Sequence, residues 1–132
     1  MISLSDIRDW IKGFGVGENF YVGKLDNKKD KSIGIYTRTA SGPPHIAIGG
    51  LSATKTAVQH VSILVHWNRN AVETDSKAQY LYNNLLCIDN VTIGGKHIDY
   101  IYLAVPAPVD VGTDDKGIYE RVVWLDLYYQ KG

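Results

Sequence analysis

The chain has 132 residues, of which 45% are hydrophobic, enough for one core of ordinary domain size and too little to suggest a second. Fourteen basic residues balance fourteen acidic ones, so the chain as a whole lacks the positive field with which a nucleic-acid binder attracts phosphate. Asp6, Arg8 and Asp9 interrupt the amino terminus where a secretory signal needs an apolar core, and no apolar run approaches the roughly 18 residues of a membrane span. The expectation is a soluble protein made in the cytoplasm and without a membrane partner. A single cysteine, Cys87, cannot form an internal disulfide, and the sequon at Asn90 is then a chance match.

Leu4, Ile7, Ile11 and Phe14 fall on one face of a short helix, with Ser3 or Ser5 as N-cap and Gly13 as the stop. The segments 19–25 and 32–38 read as strands joined by a polar hairpin loop, DNKKDK. From about 39 to 57 the chain is rich in Gly, Ser, Thr and Pro around one apolar island, Ile46-Ala47-Ile48. Consecutive prolines cannot donate to a ladder, so this reads as a long loop with at most a short edge strand. Val61, Ile63, Val65 and Trp67 then share one parity, while His60, Ser62, Leu64 and His66 share the other, the pattern of a central strand with one dry face.

The tripeptide Asn68-Arg69-Asn70 reads as a polar turn opening a second helix, in which Ala71, Ala78, Leu81, Leu85 and Ile88 recur at helical spacing. Gly94-Gly95 marks a tight hairpin, with Ile101, Leu103 and Val105 as the inner parity of its second strand. An acidic segment, VDVGTDDKG, leads to the last strand, where Val123, Leu125 and Leu127 face inward against Val122, Trp124, Asp126 and Tyr128. Together these elements predict a single α+β domain over 1–132, with a mostly antiparallel sheet, one main helix and a short N-terminal helix.

The familiar chemistries find no foothold. His60 and His66 stand about 20 Å apart along a regular strand, too far for one metal ion, and no carboxylate stands at ligand spacing beside any of the four histidines. They read as half-buried sheet histidines. Asp110, Asp114, Asp115 and Glu120 miss the order of a calcium loop. The glycine runs fit neither a dinucleotide fingerprint nor a P-loop, and no elbow motif presents a serine. Cys87, between Leu86 and Ile88, reads as a small core residue rather than a thiolate. Lys24, Lys28, Lys29 and Lys31 form the main basic cluster, but Asp26 and Asp30 dilute it, so it reads as a solvated hairpin tip. No enzyme activity and no cofactor are expected.

Three stretches, FYVGKLDNKKDKSIGIYTR, GPPHIAIGG and VSILVHWNRNAVET, resemble the small minor capsid or tail-completion proteins of long-tailed phages and prophages of Gram-positive bacteria, grouped with the tail-terminator fold. The resemblance implies an α+β virion protein that closes into a ring, usually a hexamer, on the end of the tail tube and offers a surface to the head connector. DNA is then only passing cargo, and the site of action is the head-tail junction of the virion. The expected assembly surfaces are Pro43, Pro44, His45, Ile46 and Ile48 in the long loop, facing Trp124, Asp126 and Tyr128 of the next subunit's final strand. A head-side completion protein is the nearest alternative, and a small ligand-binding α+β domain is the alternative from another class.

Overall fold

A computed structural model describes residues 1–25, 29–38, 56–88 and 90–130. The chain runs α1 (Leu4–Lys12), β1 (Asn19–Val22), β2 (Ser32–Thr37), β3 (Thr56–His66), α2 (Ala71–Leu86), β4 (Val91–Ile93), β5 (Lys96–Leu103), β6 (Val109–Thr113) and β7 (Tyr119–Gln130). All seven strands form one sheet in the order β1-β2-β3-β7-β5-β4, with β6 also paired to β7. The sheet is antiparallel except at β1–β2, and the α+β class read from the sequence holds.

The long strands β3 and β7 lie side by side at the centre, in register from Thr56 opposite Gln130 to His66 opposite Glu120. Their odd-numbered residues from Val61 and Val123 onward supply the dry face: Val61, Ile63, Val65, Val123, Leu125 and Leu127 are fully buried. Both helices pack on that side. Ile7 and Ile11 of α1 and Ala78, Leu81 and Leu85 of α2 enter the same core, and Leu4 and Phe14 pack at its border as the α1 periodicity requires. The Gln59 side chain fastens α1 to β3 by accepting from the Ile2 N–H and donating to the Ile2 carbonyl, both at 2.9 Å, which satisfies a buried amide inside the apolar layer.

The helix starts follow the capping residues. The Ser3 hydroxyl accepts from the Asp6 N–H, and the Asn70 side chain accepts from the Glu73 N–H. Gly94 and Gly95 turn the β4–β5 hairpin at φ of 57° and 77°, a conformation that suits a two-residue I′ turn and resists any residue with a Cβ.

Four expectations change. Segment DNKKDK is not a hairpin tip, because β1 and β2 run parallel; β1 is only four residues long, so the chain can return beside it within a short connection. Parallel neighbours ordinarily need a dozen or more linking residues. The acidic segment contains a strand, β6, which borrows the N-terminal half of β7 as its partner. A bulge between Ile98 and Tyr100 shifts the parity of β5, so Ile98 and Ile101 both face the helices. Cys87 is exposed: it lies two residues past Leu85, about 200° around the helix axis from that buried side chain. The apolar island at 46–48 lies outside the described residues. Among the described residues no helix is long and apolar enough to cross a membrane.

Glu73 provides a local test of the α2 start. Hydrogen bonds from Asn68 and from the Trp67 indole, the latter at 3.2 Å, hold its carboxyl below the ordinary glutamate value. A carboxylate stabilised in the folded state contributes above its unfolded pKa and loses that contribution as pH falls through the lower folded value. The Glu73 carboxyl signal in an NMR titration is therefore expected to move below the pH at which an ordinary glutamate does, and Glu73→Gln should remove its share of the acid sensitivity of unfolding. A titration at the ordinary value or above it would show that the two bonds do not persist in solution.

Candidate functional site

The side of the sheet opposite the helices carries a different chemistry. On it lie the even-numbered residues of β3 and β7, together with Tyr36 and Arg38 from the end of β2 and Tyr100 and Tyr102 of β5. At one end the surface is closed by local packing. Gly34 has no side chain, and a Cβ there would stand 2.8 Å from the Tyr36 ring and 3.2 Å from Leu25, so the glycine is what lets both lie flat on the strand. Burial raises the Tyr36 hydroxyl above its ordinary pKa, against the lowering effect of its bond with the Leu25 backbone.

His66 is also sealed at that end. Its side chain is completely buried, with Nδ1 2.9 Å from Glu120 and Nε2 3.6 Å from Asp114. This departs from the half-buried histidine expected from the sequence. The two carboxylates face opposite ring nitrogens, so they do not converge with the imidazole on one point, and among the described residues no group of His, Cys, Asp or Glu is arranged to hold a metal ion. The arrangement ties the end of β3 to the β6–β7 turn, whose backbone the other Asp114 oxygen holds through the Lys116 and Ile118 N–H groups.

The middle of the face is open. His60 and Asp126 are direct cross-strand partners, with Nδ1 and Oδ1 2.6 Å apart, and the Arg38 guanidinium donates to the same carboxylate oxygen. Asp126 itself is only 8% exposed. Arg38 in turn lies 5.9 Å over the Trp124 ring, a cation–π contact that covers part of a charge mostly removed from water. Around this triad stand Tyr100, Tyr102 and Trp124, 58%, 48% and 38% exposed, with the Tyr100 and Tyr128 rings 5.8 Å apart. Large rings that keep a wet edge are the composition of a contact surface. Among the described residues neither His60 nor His66 bonds a hydroxyl or thiol that it could activate.

Of the assembly residues read from the sequence, the structure puts Trp124, Asp126 and Tyr128 on this open face. Pro43, Pro44, His45, Ile46 and Ile48 lie outside the described residues. Arg38, Tyr100 and Tyr102 join His60 there, and only the strand register brings them beside Asp126. The sequence carried part of that signal: His60 and Asp126 are ionisable residues within the long alternating runs of β3 and β7.

The profile of a family described as bacteriophage tail terminator protein matches residues 3–131. The match spans both helices and every strand, so the chain belongs to the tail terminator family and is a structural protein of a phage tail. No curated protein matches the chain.

The triad has a measurable cost when broken. Asp126→Ala leaves the mostly buried Arg38 guanidinium without its carboxylate and is expected to destabilise folding by roughly 3 kcal/mol, the range for one partner lost from a buried pair. Asp126→Asn, which keeps an acceptor oxygen between Arg38 and His60, should lose less. Urea unfolding of the two variants checks the order; equal losses would mean that packing, not charge, sets the role of Asp126.

Proposed function

We propose that this protein ends the growth of a phage tail tube by closing as a ring, six subunits in number, on the tube's last layer, and that the far side of the ring meets the head connector at the head-tail junction. The observation that carries this reading is the family match over nearly the whole chain. Net neutrality supports it, since a lumen through which DNA slides gains nothing from gripping phosphate. So does the open aromatic face, whose Trp124, Asp126 and Tyr128 serve as one half of the subunit contact.

The other half is the apolar island of the long loop, Pro43, Pro44, His45, Ile46 and Ile48, reaching the neighbouring subunit. A ring requires two different patches that meet head to tail through a rotation that closes. The chain acts through shape rather than bond chemistry, so its specificity lies in which surfaces it covers.

Replacing Ile46 and Ile48 together with Asp tests the loop's share. Charge without a partner is costly to bury, so the double variant is expected to fold as a monomer and to leave tails of uncontrolled length, read by light scattering of the pure protein and electron microscopy of isolated tails. Rings of normal size from the double variant would remove the loop from the interface.

A further inference from the structure

Two of the open edge segments of the sheet, on β1 and β5, fit each other. Outside β4, which covers only Lys96 to Ile98, the outer edge of β5 is unpaired among the described residues. The run Tyr100-Ile101-Tyr102-Leu103 carries no charge, proline or glycine, and such an edge invites another strand. The Ala104 N–H bonds to the Trp124 carbonyl at 2.8 Å, and alternation along an antiparallel pair then directs the backbone groups of Ile101 and Leu103 outward. At the opposite side of the sheet, the Gly23 N–H bonds to the Ile35 carbonyl at 2.7 Å, so the same alternation directs Phe20 and Val22 of β1 outward; the Val22 N–H faces out, and the Val22 carbonyl also accepts from the Lys24 N–H at 3.1 Å, leaving its second lone pair for a neighbour.

We infer that β1 of one subunit adds to the β5 edge of the next, continuing the sheet from copy to copy, with Val22 opposite Ile101 and Phe20 opposite Leu103. Three separate conditions are met by this chain and its own copy. The first is direction: counting through β2, β3 and β7, β1 and β5 run opposite ways, so a copy set beside the first in the same orientation offers an antiparallel partner. The second is bonding phase, since the two outward residues of each strand fall opposite one another. The third is facing: Phe20 and Val22 are opposite the buried Ile33 and Ile35, and Ile101 and Leu103 opposite the buried Leu127 and Leu125, so all four side chains lie on the helix side of the joined sheet.

Side chains at the seam agree. A groove of about 560 Å³ between β5 and the end of α2, lined by Leu86, Ile88, Ile101 and Leu103, lies where the half-exposed Val22 of the neighbour would enter. The contact is heterologous and repeats in one sense, as a ring requires. It rests on the ring reading proposed above and assigns that ring its backbone contact.

Cysteine trapping tests it. Opposed residues of a bonded antiparallel pair have Cα atoms about 5.5 Å apart, within disulfide range. A chain carrying Val22→Cys, Ile101→Cys and Cys87→Ser, supplied as the sole copy during tail production, is expected to give a ladder of multimers from oxidised tails on a non-reducing gel. The chain with Val22→Cys and Cys87→Ser alone should give none beyond a background. Tails that carry the paired-cysteine chain without a ladder would overturn the edge contact while leaving the tail-end function intact. A wild-type chain missing from purified tails would overturn that function itself. As a second variant, Ile101→Pro removes one outward N–H and spares the bonds to β7; it is expected to stay folded by circular dichroism, with a modest drop in melting temperature from the lost Ile101 packing, and to be lost from tails. Its retention at wild-type amount would also overturn the contact.

Discussion

The ladder between β3 and β7 is the constraint on which the other parts depend, because its register allots every side chain of two long strands to one face or the other. Opposed residues run without a break from Thr56–Gln130 to His66–Glu120. Side chains alternate with a period of two, so a slip of β7 by one residue would bring Asp126 and Trp124 into the core and send Val123 and Leu125 into water. The penalty for that slip is large on both faces. One register survives, and the helices, the outer strands and the polar triad all take their positions from it.

The two faces solve different problems. Toward the helices, apolar burial dominates, and the buried Gln59 amide is satisfied by the Ile2 backbone. Away from the helices the strands bury a charge only where its partners are already in place: Asp126 sits between His60 and Arg38, and Arg38 lies over Trp124. A buried charged cluster of this kind adds little net stability compared with an apolar substitute, but it is strict about geometry. It therefore holds the surrounding rings in one arrangement, which suits a protein whose action is to present a surface.

The outer strands show how small local features direct the fold. A four-residue β1 is short enough for its chain to double back in parallel, and the absence of a side chain at Gly34 makes room for Tyr36 and Leu25 to close one end of the open face. The bulge after Ile98 restores the inward direction of β5 once β4 has ended, so that Ile101 and Leu103 continue the apolar layer along a strand edge. These features leave uncharged edge segments of opposite direction in β1 and in residues 100–103 of β5, the condition for one copy to extend the next.

The local elements are legible in the sequence because their signals are local. Capping by Ser3 and Asn70, the helical recurrence of Ile7 and Ile11 and of Ala78, Leu81 and Leu85, the Gly94-Gly95 turn, and the alternation in β3 and β7 each depend on residues a few positions apart. Resemblance in Phe20 to Thr74 carried the family as well. The tertiary structure alone decided what depends on residues distant in the chain. His60 meets Asp126 across 66 positions and Arg38 meets it across 88, so no spacing rule could join them. The parallel direction of β1, the pairing of β6 and the exposure of Cys87 were likewise settled by which neighbour offered hydrogen bonds or cover, a competition among distant segments that local periodicity does not encode.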